Sequence, residues 1–396
     1  MFISKNISQI SPSPTLAITA KAKKMQAEGI NVIGFGAGEP DFDTPVNIKE
    51  AAKRAIDKGF TKYTPTAGTK ELKDAICKKF VRDNQLTYTP EEILVSCGAK
   101  HSIFNVVLAL CGEGDEVIIP SPYWVSYPEM VKVVGATSVI LPTTEKSGFK
   151  ITAKQLEDAI TPKTKLFILN SPSNPTGMVY SETELREISE VVVRRKIFCL
   201  SDEIYEKLVY GEKHVSIASF NPEIKKQTIV VNGMSKVYSM TGWRIGYAAG
   251  PKEIIQAMSN LQDHSTSNPT SIAQAASVEA LEGPQDELKR MADEFTKRRK
   301  YMVDRANSIK GFRTTAPGGA FYCWIDISAL LGKNIEGTLI SSSLVLTEVL
   351  LNKAHVAVVP GGVFGDDRYI RLSYATSIEN IVEGLNRIES LVGKIA

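Results

Sequence analysis

The residues of this chain best suited to chemistry lie just beyond its short apolar runs. Gly98, Ala99 and Lys100 follow one run, Asn174 a second, Asp202 and Tyr205 a third, and Ser235 and Lys236 a fourth; Arg244 and Arg371 each adjoin apolar residues of strand type. A glycine turn that opens a helix can cradle a phosphate on its free N–H groups. An acid, a phenol, an amide, a lysine and two arginines could line the same cleft. Taken singly, each has an ordinary structural role open to it. The turn at Gly98 also reads as strand-to-helix punctuation, and SPSNPTG (171–177) as a turn-rich loop. Asp202 suits a helix N-cap, Lys236 a solvated surface, and the two arginines ion pairs. Their shared position joins them, because open parallel sheets bind ligands beyond the carboxyl ends of their strands.

The elements that must position these residues alternate along the chain. Apolar, often β-branched runs at 93–98, 116–120, 137–142, 165–170, 197–202, 228–233 and 244–250 read as strands. Most are apolar on both faces, as a sheet covered on both sides requires. Between them, Thr152 with Gln155 and Ser181 with Glu184 set a hydroxyl three residues before a Gln or Glu, the signature of a capped helix start. The pattern predicts an α/β fold with a mainly parallel sheet. Beyond about residue 285, a long charged helical stretch gives way to a Gly-rich turn (APGGAFYCWID) and two strand-like runs, HVAVVP and YIRLSYA. The expected division is a larger α/β domain at 45–285 and a smaller α+β domain made of 1–44 with 286–396.

Composition removes other classes of function. With 396 residues, 43% of them hydrophobic, the chain can bury a large core. Its 47 basic and 44 acidic side chains nearly cancel, and no dense basic run is interleaved with aromatics. Nucleic acid is therefore not an expected partner. Cys77, Cys97, Cys111, Cys199 and Cys323 are scattered and odd in number, which fits a reducing compartment without a disulfide framework. Neither they nor His101, His214, His264 and His355 have metal-ligand spacing, so no metal is expected. No run approaches membrane-spanning length, and the first residues lack the apolar stretch of a signal peptide. The expected location is the cytoplasm.

GMSKVYSMTGWRIG (233–246) resembles the cofactor-lysine signature of class I aminotransferases, which have fold type I of the pyridoxal-phosphate enzymes. AGEPDFDTP (37–45), KYTPTAG (62–68), SPYWVSYPEM (121–130), NSPSNPTG (170–177), SDEIYE (201–206) and RLSYA (371–375) are similar to further family motifs, in the family's order. The resemblance extends from about Ile10 to Ile388. It is nearest the bacterial and plant-plastid aspartate aminotransferase subgroup, some members of which also use prephenate. The fold it implies has a large domain with a mainly parallel seven-stranded sheet.

The resemblance implies one mechanism. Lys236 holds pyridoxal 5′-phosphate as a Schiff base and, once an amino acid displaces it, shuttles the proton at the substrate Cα; its pKa must be depressed for the amine to be neutral. Asp202 keeps the ring nitrogen protonated, so that the ring accepts electrons. Tyr205, read as one helical turn further on, and Asn174 bond the ring's phenolic oxygen, and Trp124 stacks on the ring. The N–H groups of Gly98, Ala99 and Lys100, with Arg244 and Ser235, take the phosphate. Many family members carry serine where this chain has Gly233, which implies a phosphate contact that is missing or replaced. Tyr63 matches a tyrosine that serves the partner subunit's phosphate, so a two-fold homodimer with shared sites is implied. Arg371 grips the α-carboxylate with its planar fork, and Gly38 lets the backbone approach the same group.

The implied reaction moves the amino group of aspartate to 2-oxoglutarate in a ping-pong cycle, with small amino and 2-oxo acids as partners. A distal carboxylate needs a second cation, since burying it unpaired is costly. The resemblance implies Lys100 for this role, with Thr15 beside it, since both match residues that relatives use to recognise such acids; a cation in a helix's first turn also opposes the dipole, which favours a functional reason for Lys100. Ser11 stands where many prephenate-accepting relatives have lysine, and Asp263 and His264 where close relatives are uncharged. Prephenate or aromatic substrates stay open. So do a fold type I carbon–sulfur lyase and a non-catalytic ligand-binding α/β protein, because one fold hosts many functions.

Overall fold

Helix α1 (Pro14–Ala27) opens the fold. The computed structural model describes residues 3–394 apart from Ser13 and Glu212, and leaves out the side chains of residues 14–16. Ile18, Ala22 and Met25, at helical spacing along α1, pack against Val32, Leu351 and Ala357. The two-residue strand Ile33–Gly34 then pairs in parallel with Val356–Ala357. The segment 18–34 thus packs against residues 351–357.

All seven strand-like runs join one sheet: β1 (Ile93–Ser96), β2 (Glu116–Ser121), β3 (Thr137–Pro142), β4 (Thr164–Asn170), β5 (Phe198–Asp202), β6 (Thr228–Gly233) and β7 (Gly246–Ala249). Their spatial order is β1-β7-β6-β5-β4-β2-β3. Only β7 runs against the rest. Its reversal follows from its connection, because 234–245 forms turns rather than the helix a parallel crossover needs. That loop keeps Ser235, Lys236 and Arg244 at the same end of the sheet. Both faces are covered: on β4, Leu166 and Ile168 enter one apolar cluster while Phe167 and Leu169 enter another. Helix α2 (Ala99–Leu110) lies on the first of these faces. Helices α3 (Ala153–Ala159) and α4 (Glu182–Arg195) start at Thr152 and Ser181 with the expected reciprocal capping bonds.

The charged stretch after residue 285 forms helix α5 (Asp286–Ser308). It packs with helix α6 (Ile378–Val392) on a second, antiparallel sheet of order β10-β11-β9-β8, where β8 is Arg313–Thr314, β9 Tyr322–Asp326, β10 Val359–Pro360 and β11 Tyr369–Ser373. Phe295, Met302, Phe321, Ile370 and Leu385 anchor its core, and Ile204, Tyr205 and Leu208 from the segment after β5 reach into it. Among the described residues, no helix is long and apolar enough to cross a membrane.

Candidate active site

The ends of β1, β4, β5 and β6 and the start of β7 open on a cavity of about 460 Å³. Gly38, Ala99, Lys100, Trp124, Asn174, Asp202, Tyr205, Ser235, Lys236, Arg244 and Arg371 all line it. Of the other expected site residues, Gly98 lies just behind the wall and Tyr63 is elsewhere, 91% exposed. The side chain of Thr15 lies outside the described ones.

Lys236 sits in the turn after β6, where its Nζ donates to the Gly38 carbonyl at 2.5 Å. Burial depresses its pKa to about 8; Glu39 opposes the shift, and Arg244 and Arg371 add to it. A lysine so placed gives up its proton far more readily than an ordinary lysine, so that part of it is neutral near physiological pH. Gly38 thus meets the lysine through its carbonyl, and a Cβ on it would lie 3.2 Å from the Tyr322 hydroxyl.

Asp202 ends β5 and is 4% exposed. Burial lifts its pKa to about 6, against the pull of the Tyr127 hydroxyl, which donates to Oδ2 at 2.6 Å, and of the Ile204 N–H. No helix follows for Asp202 to cap, and Tyr205 is not one helical turn on, because 204–207 forms turns. Glu203 accepts bonds from the Ser201 and Ser216 hydroxyls and lies 3.0 Å from His214 Nε2, while Glu206 pairs with Lys79 and accepts from Asn84. Both glutamates are held outside the cavity wall while Asp202, Ile204 and Tyr205 form part of it. Glu203, Glu206 and His214 lie within 4.8 Å of one another. With Lys79 and the hydroxyls on their carboxylates, they form a buried polar network beneath the site. Tyr205 stands edge-on to Phe321 and Tyr322 and shares a hydrogen bond of 2.8 Å with the Tyr322 hydroxyl.

Arg371 projects from β11 and is 3% exposed. Its Nη1 donates to Asn174 Oδ1 at 2.9 Å and its Nη2 to the Gly36 carbonyl at 2.8 Å, with the guanidinium over the Tyr322 and Phe364 rings. Its Nε has no partner, and burial lowers its pKa. Among the described residues no carboxylate pairs with it, and a buried guanidinium without a counter-charge suits an anionic ligand.

The turn into α2 departs from expectation in one respect. The Gly98 N–H donates to the Ser96 carbonyl at 2.7 Å, so the N–H groups left without a backbone acceptor are those of Ala99 and Lys100. Gly98, at φ +89°, serves by making room: a Cβ there would come within 2.4 Å of Arg244 Nη2. A Cβ on Gly246 would meet the Ala99 nitrogen at 2.1 Å. Among the described residues, Arg244 donates only to the backbone carbonyls of Thr241 and Cys97. Gly233 faces β7, with Gly246 Cα and the Ile245 carbonyl 2.9 Å from a notional Cβ. A serine there would press into the sheet, whereas Ser235, two residues on, does line the cavity. The Lys100 ammonium lies 4.9 Å from the centre of the Trp124 ring, its pKa lowered by partial burial and by Arg244.

Lys23, Gly36, Glu39, Tyr127, Asn170, Tyr322 and Phe364 also line the cavity, and sequence reasoning assigned none of them. Glu39, Tyr127 and Asn170 lie inside motifs noted above, but no local spacing marks them as partners.

A family model described as "Aminotransferase class I and II" matches residues 30–388. The chain belongs to that family. This aminotransferase is 51% identical to an aspartate aminotransferase of Bacillus sp. (strain YM-2), over 98% of its own length and 99% of the relative's. It is 49% identical to an aspartate/prephenate aminotransferase of Nitrosomonas europaea, over 99% and 100%. The crystal structure of an aspartate aminotransferase from Rhizobium meliloti superposes with a TM-score of 0.96 at 47% identity, covering all of both chains. The family implies pyridoxal phosphate, and the donor set of the aminotransferase fits that group: a lysine of depressed pKa, a buried acid, free helix-start N–H groups, and an arginine bound only to carbonyls.

Proposed function

We propose that this aminotransferase moves the amino group of aspartate to 2-oxoglutarate, using pyridoxal 5′-phosphate attached to Lys236. One observation carries the reading: a buried lysine with its pKa near 8 shares a cavity with buried Asp202 and the uncompensated Arg371. When bound, the cofactor supplies a sink for the electrons released at the substrate Cα. Asp202 holds a proton on the ring nitrogen, and that positive charge in turn keeps its carboxylate ionised. Tyr205 and Asn174 orient the ring through its phenolic oxygen, with Trp124 against its face. Ala99 and Lys100 N–H, Ser235 and Arg244 bind the phosphate at the positive end of α2. Arg371 takes the α-carboxylate; its bonds to Asn174 and Gly36 pre-orient the fork. Lys236, once its amine is free, would act as the general base and acid for the proton at the substrate Cα. Lys100, with Thr15, receives the distal carboxylate.

The reading includes a homodimer in which the exposed Tyr63 serves the partner subunit's phosphate, a cytoplasmic location, and a division into domains 45–285 and 1–44 with 286–396. The aspartate aminotransferase names of relatives near half identity support the substrate. The Nitrosomonas europaea relative favours a second reading in which prephenate is also accepted. Two experiments test the proposal. Borohydride reduction and peptide mapping are expected to put the cofactor on Lys236; an adduct on another lysine rejects the assignment. A panel of amino acids offered with 2-oxoglutarate is expected to give oxaloacetate from aspartate. Ammonia and pyruvate released without an acceptor would indicate a lyase instead.

A further inference from the structure

Helix α1 has two working faces. Ile18, Ala22 and Met25 fix its rotation by docking on Val32, Leu351 and Ala357. With that rotation set, Thr19 and Lys23, four residues apart and so on one face, line the cavity. Lys23 has no acidic partner among the described residues, whereas the cavity's other cations are engaged: Lys236 at Gly38, Arg371 at Asn174 and Gly36, Arg244 at Thr241 and Cys97, and Lys100 over Trp124. Lys100 and Lys23 come from different elements, one on the helix that follows β1 and the other on a helix packed with residues 351–357.

An enzyme that alternates between aspartate and 2-oxoglutarate must bind diacids of two lengths with the α-carboxylate and Cα fixed at Arg371 and Lys236. The distal carboxylate of the longer acid then lies one carbon–carbon bond, about 1.5 Å, further along. A second ammonium in the cavity can meet the longer acid without drawing Lys100 off the Trp124 ring. We infer that Lys23 is a specificity-determining residue that receives the distal carboxylate of five-carbon diacids, Lys100 serving the four-carbon ones. The inference rests on the transamination proposed above. A lysine suits the role, since its ammonium is a point charge on a flexible stem.

Calorimetric titration of the holoenzyme with succinate and glutarate, unreactive diacids of four and five carbons, tests this without relying on turnover. In Lys23→Ala the ratio of the glutarate to the succinate Kd is expected to rise roughly five-fold, the scale of one solvent-exposed ion pair. Lys23→Glu should raise it further, and Lys23→Arg should hold it near the wild-type value. Equal weakening of both diacids, no weakening of either, or a wild-type enzyme that binds neither overturns the inference. The transamination proposal fails separately, on a wild-type enzyme that forms no oxaloacetate from aspartate.

Discussion

The two ends of the cavity are built differently. At the inner end Asp202, Tyr205 and Arg371 are almost fully buried, and each is held by a bond to a different part of the chain: Tyr127, Tyr322, and Asn174 with Gly36. At the outer end Lys100 and Lys23 are exposed, and the former's recorded contact is the face of one ring. Buried polar groups fixed from several directions cost much to disturb, while an exposed ammonium costs little to move. The contrast teaches that the chemistry resides in groups fixed by burial and mutual bonds, and substrate choice in charges on flexible stems. Substitutions at the inner end should change rates by orders of magnitude, and those at the outer end should change ratios between substrates.

Lys236→Ala is the severest test. Removing both the attachment point and the base is expected to lower kcat/KM for aspartate by about 10⁴-fold or more, with circular dichroism unchanged. A variant retaining a tenth of the activity would erase the contrast. The same lysine has a signature in stability. Its pKa in the fold is about 8 against an ordinary 10.5, so burying the ammonium costs stability below pH 8, and the cost is relieved as pH rises from 8 to 10.5. In cofactor-free protein, the advantage of Lys236→Met over wild type should therefore shrink by about 3 kcal/mol across that window. Urea unfolding at pH 7.5 and 10.5 reads it. A constant difference would mean that the amine is solvated in the fold. Next in size, Asp202→Ala is expected to keep the fold and lose roughly a hundred-fold in kcat. Activity within a few-fold of wild type would assign the tuning of the ring nitrogen to another group.

The two ends also differ in how far they could be read from sequence. All seven strands of the main sheet were legible because each is a short apolar run set off by turns, and the strand-end rule then pointed to Asn174, Asp202 and Lys236. The residues that hold them were not. Tyr127 bonds Asp202 across 75 positions, Tyr322 meets Tyr205 across 117, and Gly36 meets Arg371 across 335. Such pairs leave no periodic trace, since only the folded topology brings them together. The turn that follows Asp202 was not legible either, and there Glu206 is held by Lys79 and Asn84, contacts made across the sequence rather than within it. Lys23 went unnoticed because a lone lysine on a charged helix is ordinary. The orientation of α1, fixed by packing, is what brings it to the cavity.

The smallest effect expected is the one that sharpens the contrast most. Partial burial and the neighbouring Arg244 lower the pKa of Lys100, and its place in the first turn of α2 opposes the helix dipole as well. The ring of Trp124 offsets them only in part, because a cation over an aromatic face near solvent gains little. A distal carboxylate would supply the missing counter-charge, so the cost of the placement is recovered only when a diacid binds. Lys100→Ala should therefore raise KM for aspartate roughly ten-fold, the loss of one charge-assisted hydrogen bond. KM for alanine or phenylalanine should change much less, and kcat for all three should stay close to wild type because Lys236 and Asp202 are untouched. Steady-state kinetics with the three amino acids separate the cases. Equal increases for all three would mean that Lys100 acts through the α2 turn and the phosphate, placing it functionally with the inner end. A wild-type preference for phenylalanine over aspartate would reject the diacid reading of the outer end and leave the inner chemistry as described.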